Sequence, residues 1–304
     1  MTAPPTVSVV LIFHDDEHFL PEAIESVFAQ TYTDWELILA DDGSRDGSTA
    51  IARRWAEQEP TRITYVEHAS HANRGPPATR NLGFRSARGR YIAVLDSDDV
   101  WEPDKLEEQV AILETHPDVG MLFGTSLYWW SWPGEASPVA DRFMPIGAPK
   151  DRVHQPPDLA WLLYPLGKGV APCPSSWLIR RELIERIGGW EEHIRPVFED
   201  QGFLAKAYLE TPIWVSSKCW DRYRRHAGQI VTTTSTQGLD DARREFLSWY
   251  EGYLRARDVR DRRIWAAVQR AWWPLHHPRL AAARRGAGRV RARVRRRLTS
   301  RGSG

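Results

Sequence analysis

With 304 residues and 42% hydrophobic content, the chain can bury a sizeable core, either as one large domain or as a domain with a substantial C-terminal addition. No segment is apolar enough to span a bilayer, and residues 1–6 lack the basic and apolar regions of a secretory signal, so a cytoplasmic protein is expected. The net charge of +1 conceals an asymmetry: residues 281–304 hold nine arginines (284, 285, 289, 291, 293, 295, 296, 297 and 301) and no acid, and removing them leaves the rest at about −8. Such a tail suits the inner face of a membrane, which makes peripheral attachment through it one expectation; a solvated, disordered end is the other, and no nucleic-acid partner is expected. Two cysteines, Cys173 and Cys219, are too few for a disulfide framework and read as packed thiols.

The first part of the chain alternates short β-like runs with helical stretches, the pattern of an α/β protein with a parallel sheet covered by helices. Strands are predicted at residues 7–13, 35–40, 63–67 and 91–95. Helices are predicted at 19–30, where Leu20, Ala23, Ile24, Val27 and Phe28 recur at helical spacing, and at 49–57, 78–87 and 103–114. The turn from Asp41 to Ser48 is rich in Asp, Gly and Ser, residues that favour tight turns and helix caps. After a strand at 120–124 the rhythm becomes less regular. Tyr128-Trp129-Trp130-Ser131-Trp132 reads as an aromatic loop or hairpin, and 133–157 as a long functional or mobile loop. A strand at 175–180, a helix at 181–187 ended by Gly188-Gly189, a helix from about 200 and a β-like segment at 213–216 complete the core, and 239–273 reads as helical.

Two acidic groups stand where strands end. Asp96-Ser97-Asp98-Asp99 follows the apolar run Tyr91-Ile92-Ala93-Val94-Leu95, so three carboxylates crowd one strand end. A divalent cation, with water and substrate phosphates filling its other positions, would relieve their repulsion; a solvated acidic turn capping the next helix is the alternative. Asp41-Asp42 also closes a strand, and ligands of open α/β sheets bind at the carboxyl ends of strands. A turn and helix cap would equally account for that pair.

The chain resembles the family 2 inverting glycosyltransferases. The likeness rests on Val7-Ser8-Val9-Val10, Ser26-Val27-Phe28-Ala29-Gln30-Thr31, Asp41-Asp42-Gly43-Ser44, Asp46-Gly47-Ser48-Thr49, Ala78-Thr79-Arg80-Asn81-Leu82-Gly83, the acidic cluster, Pro103-Asp104-Lys105-Leu106 and Glu199-Asp200. It covers about residues 6–230 and implies the glycosyltransferase-A fold, a Rossmann-like, mostly parallel sheet flanked by helices. The expected layout is a catalytic domain at 1–235 (donor half about 1–125, acceptor half about 126–235), a helical extension at 236–280 and the Arg-rich tail at 281–304.

By position, the resemblance implies that Asp42, Arg80, Asp96 and Asp98 bind a nucleotide diphosphate sugar, with Asp98 and Asp99, joined by His226 of Tyr223-Arg224-Arg225-His226, holding Mg2+ or Mn2+. Arg80 could meet a phosphate or pair with the acidic cluster. Glu199 and Asp200 match the family's acidic pair beside the acceptor, in which the aspartate is the general base, as an inverting transfer to a hydroxyl requires. Ser175, Ser176 and Trp130 are further acceptor-binding candidates, and the acceptor expected is a saccharide or a lipid-linked sugar of cell-surface polysaccharide or glycoconjugate synthesis. After the first strand the family shows a small residue, an aromatic and an asparagine, whereas this chain has Ile12-Phe13-His14-Asp15, which leaves the stacking of the base and the donor's identity open. The Gln-x-x-Arg-Trp element of polymerising members is absent, so a single addition is expected. A nucleotidyltransferase would need a basic, Gly-rich loop where His14-Asp15-Asp16-Glu17 stands, and a non-catalytic sugar-nucleotide-binding protein would have no use for the base.

Overall fold

The computed structural model describes residues 4–134, 137–194 and 196–281. In chain order its elements are β1 (Val7–Phe13), α1 (Leu20–Phe28), β2 (Trp35–Asp41), α2 (Ser48–Gln58), β3 (Ile63–Glu67), α3 (Pro76–Ser86), β4 (Tyr91–Asp96), β5 (Val100–Trp101), α4 (Lys105–Thr115), β6 (Met121–Trp129), β7 (Arg142–Met144), β8 (Arg152–His154) and α5 (Asp158–Leu162). These are followed by β9 (Leu178–Arg180), α6 (Arg181–Ile187), α7 (Glu199–Glu210), β10 (Ile213–Arg224), α8 (Ile230–Thr233), α9 (Thr236–Ala256) and α10 (Arg262–His276).

One sheet runs in the order β3-β2-β1-β4-β9-β6-β10-β5, with β7 on β6 and β8 on β10. The first four strands are mutually parallel, as are β6 and β10, while β5, β7, β8 and β9 pair antiparallel. β1 and β2 are buried along their whole length because helices cover both faces, which explains their near-continuous apolar sequence. Val7, Val9, Leu11 and Phe13 pack beneath α1 and α4, whereas Val10 and Ile12 face a second core shared with α6 and α7. The register sets Phe13 opposite Asp41 and Ile12 opposite Asp96, so the loops after β1, β2 and β4 open on one edge.

The expected fold class stands, with local differences. β6 runs on through Trp129 and turns back along β7, so the aromatic segment is a hairpin, and β7 and β8 are short strands inside the stretch read as a loop. The strand expected at 175–180 begins only at Leu178, after a 3₁₀ turn at Pro174–Ser176. β10 extends past the predicted 213–216 segment to Arg224, with irregular pairing around Cys219. The long C-terminal helix is two helices, which share a third core with Leu166, Ile194, Phe198 and Ala205. The arginines of the tail lie outside the described residues.

That third core reaches the site through Phe246 of α9, fully buried with its ring 5.5 Å from Phe198, the residue before Glu199. Phe246→Ala is expected to cost about 3–5 kcal/mol in chemical denaturation, as buried Phe truncations do.

Candidate active site

Asp42 directly follows β2 and is buried, its carboxylate accepting hydrogen bonds from the backbone N–H groups of Arg74 (2.7 Å) and Gly75 (3.0 and 3.1 Å). Gly75 has φ +85°, a conformation that favours glycine, and directly precedes α3. Asp42 thereby fixes the start of the helix that carries Arg80. Asp41 faces inward instead, accepting from Ser44 N–H, Thr49 Oγ1 and Tyr65 Oη.

Arg80 is 3% exposed. Its Nη2 donates to Asp96 Oδ1 at 2.7 Å and to Glu199 Oε1 at 3.0 Å, and its Nε donates to the same Glu199 oxygen at 3.1 Å. Of the two roles open to it, the observed one is pairing with the acidic cluster. Burial opposes the charge on Arg80, and the two carboxylates outweigh it. Burial raises Glu199 to about 7 and also raises Asp96, with Arg80 opposing the shift in both.

The carboxylates of the acidic loop divide by environment. Asp99 is fully buried, its Oδ2 accepting from Ser175 Oγ at 2.6 Å and its Oδ1 from the Arg224 N–H at 3.0 Å. Burial, then the charges of Asp98 and Asp96, hold it well above the usual carboxylate range. Asp98 is a fifth exposed, and its Oδ2 meets His226 Nε2 at 3.0 Å and Gln229 Nε2 at 3.2 Å. The expectation that Asp99 ligates a metal with Asp98 and His226 therefore gives way, because its oxygens are engaged in the interior. Among the described residues, the three side chains whose ligand atoms lie within 4.8 Å of one another are Asp41, Glu67 and His71, and these are hydrogen-bonded through Tyr65 and to each other.

Ser175 and Ser176 are also corrected. Both are fully buried, Ser175 donating to Asp99 and Ser176 to the Cys173 carbonyl, so neither hydroxyl reaches an acceptor. Trp130 lies against Tyr128 and the Arg142 guanidinium in the hairpin. Trp132 of that segment joins the site, packing edge-on against Phe19 at 5.5 Å and donating from Nε1 to the Arg225 carbonyl.

Three participants escaped the sequence reading. Arg224 is 2% exposed, caged by the rings of Phe19, Trp129 and Trp132, and donates from Nε to the Asp98 carbonyl and from Nη2 to Glu22. It pins the end of β10 to the acidic loop. Gln229 bridges Asp98 and the Arg224 carbonyl. Asp16, in the acidic run after β1, accepts from Ser97 Oγ and is raised to about 6 by burial and, less, by the charge of Asp98, with the Ser97 bond opposing. Its position after β1, beside β4, was the available signal.

Asp200 occupies the first turn of α7, half-buried, its oxygens accepting from the Gln201 N–H at 2.7 Å and Gln201 Nε2 at 2.9 Å. Burial raises it to about 6 against those bonds. A half-buried carboxylate raised to about 6 suits proton abstraction.

A mixed sheet, parallel over β3-β2-β1-β4, with acidic loops at one edge joined through Arg80 to a second carboxylate pair, places this chain among the α/β folds. The chain belongs to Glycosyl transferase family 2, which it matches over residues 8–188. It is 36% identical over 118 residues to UDP-Glc:alpha-D-GlcNAc-diphosphoundecaprenol beta-1,3-glucosyltransferase WfgD of Escherichia coli, a match covering 39% of this chain and 44% of WfgD. The matches span between 13% and 44% of the length of these curated relatives. In structure it is similar to S. aureus TarS 1-349 in complex with UDP-GlcNAc (TM-score 0.59, 19% identity, 80% of this chain and 66% of that one). It is also similar to the mannosyltransferase PcManGT from Pyrobaculum calidifontis in complex with GDP-Man and Mn2+ (TM-score 0.55, 18% identity, 94% and 81%). At such identities the structural likeness is one of fold.

Arg80→Met removes the cation from between two buried carboxylates and is expected to lower stability by about 3–5 kcal/mol, read from the urea midpoint.

Proposed function

We propose that this edge of the sheet forms a crevice that binds a nucleotide diphosphate sugar and transfers the sugar, with inversion at the anomeric carbon, to an acceptor hydroxyl deprotonated by Asp200. The observation that carries the reading is the joining, through buried Arg80, of the strand-end acidic loop to Glu199, whose neighbour in the chain is a half-buried aspartate raised to about 6. The family match supports it. Cell-surface polysaccharide or glycoconjugate synthesis is the proposed setting, with a saccharide or lipid-linked sugar as acceptor. This accords with WfgD, whose name specifies a diphosphoundecaprenol-linked acceptor.

In this reading Asp42 stands at the base end of the donor site, where it also orders the 74–75 turn. Asp98 and His226 are the residues that would hold Mg2+ or Mn2+: a part-exposed carboxylate oxygen and an imidazole nitrogen 3.0 Å apart form a donor set that suits either ion, Mn2+ better for the nitrogen. When bound, such an ion neutralises charge developing on the leaving diphosphate. The protein's own residues prepare that position: Gln229 orients Asp98, and Arg224 fixes the loop backbone beneath it. On the acceptor side, Gln201 aims the Asp200 carboxylate, and the incoming hydroxyl gives its proton to that carboxylate as the new bond forms. Arg80 keeps Glu199 from competing, because it occupies the Oε1 oxygen with two donors.

Asp200→Asn is expected to reduce kcat by roughly 10³-fold, the scale of a lost general base, while calorimetric donor affinity stays within about twofold of wild type; undiminished turnover would remove Asp200 from the role. Because Asp200 abstracts a proton only when ionised, kcat/KM should climb as pH rises toward about 6 and level off above it, and the Asn variant should lose that limb.

Donor binding measured by calorimetry should tighten at least about tenfold with Mn2+ over EDTA, a difference near 1.4 kcal/mol, and Asp98→Ala should abolish the gain. Affinity indifferent to both changes would refute the metal assignment.

A further inference from the structure

α10 has two chemically distinct faces. Ile264, Ala267, Val268, Ala271 and Leu275 are buried in the core shared with α9. On the opposite side Arg262, Arg270 and His276 are exposed, and half-buried Trp273 lies among them, stacked on His277 at 5.3 Å. Positions 262, 266, 270, 273 and 276 fall on one helical stripe, and Leu280 beyond them is 57% exposed.

The charge of this face has one sign. Asp261 is the last acidic residue of the chain, and the 43 residues after it contain thirteen arginines. Asp261 itself is paired with Arg263 at 2.8 Å, and Glu251 on the neighbouring α9 is taken by Arg255 and by the Trp272 indole.

We infer that the outer face of α10 docks on an anionic lipid bilayer. Arginines meet headgroup phosphates, an interfacial tryptophan sits at headgroup depth, and an exposed leucine enters the acyl boundary. A nucleic acid would use the arginines alone and leave Trp273 and Leu280 without a role, so lipid is the better complement. The consequence for orientation follows from packing. α10 lies on α9 and α5, and α9 packs on the 3₁₀ turn Pro196–Phe198 that leads directly into Glu199 and Asp200. A bilayer held by α10 is therefore carried by the same helices that support the acceptor side of the crevice. The inference does not rest on glycosyl transfer, since lipid binding is a property of this surface alone.

The test is co-sedimentation of the full chain with phosphatidylcholine vesicles with and without phosphatidylglycerol. Wild type is expected to bind the anionic vesicles selectively and to release with added salt. The Arg262→Glu/Arg270→Glu double variant should bind at least about tenfold more weakly with the tail intact, since each interfacial arginine is worth roughly fivefold. Trp273→Phe should retain more binding than Trp273→Ala. Unchanged thermal unfolding and donor affinity in the arginine variant would show that the fold and the donor site are intact; should its stability fall, the milder Arg262→Gln/Arg270→Gln variant takes its place in the same assay. The inference is overturned if wild type ignores the anionic lipid, if it prefers duplex DNA at equal phosphate, or if the folded double variant binds like wild type.

Discussion

The two acidic walls of the site are joined by the buried guanidinium of Arg80. Taking the Arg80 guanidinium out of water costs several kcal/mol and is tolerated because carboxylates from two distant parts of the chain receive it, Asp96 at the end of β4 and Glu199 at the start of α7. Its placement depends on backbone packing. α3 lies close on β1 because Gly83 has no side chain: a Cβ there would stand 2.4 Å from Val10 Cγ1. The start of the same helix is held by Asp42 through the 74–75 turn. A tight helix-to-strand contact, a turn and an ion pair together fix the distance between the two acidic walls.

Around that pair, side chains of one chemical type do different work because they are differently solvated. Asp99 and Asp41 are internal acceptors that organise loops, while Asp98 and Asp200 keep part of their surface open and remain available to a ligand. Arg224 shows the same principle for a cation: its charge is spread over three aromatic faces and spent on the Asp98 carbonyl and Glu22. Arrangements of this kind cost stability when one member is removed, which is why separate readouts of folding, donor affinity and turnover are needed to tell support from chemistry.

Local patterns carried the parts of the fold that are locally determined. β1, β3 and α6 fall at the residues that apolar runs, helical spacing and the Gly188-Gly189 stop signal indicate. β5, β7 and β8 are two or three residues long, and β5 and β8 exist because of a partner far along the chain, so no periodicity announces them. The latter half of β10 is polar and irregularly paired and escaped for the same reason. At the site, the carboxylates at strand ends and the Glu199-Asp200 pair were legible as residue types in telling places. Which way a side chain turns was not: Ser175 looks like a surface hydroxyl, yet it donates a hydrogen bond to Asp99, 76 residues earlier, and Arg224 looks like one of several basic residues, yet three aromatic rings cage it.

The proposed transfer is a single direct displacement, in which the acceptor hydroxyl attacks from the Asp200 side while the nucleotide departs from the Asp98 side. The anomeric configuration of the first-formed product, read by proton NMR with an α-linked nucleotide sugar as donor, tests this most directly. A β-linked product is the predicted result. A product that retains the α configuration would contradict direct displacement and, with it, the assignment of Asp200 as the base.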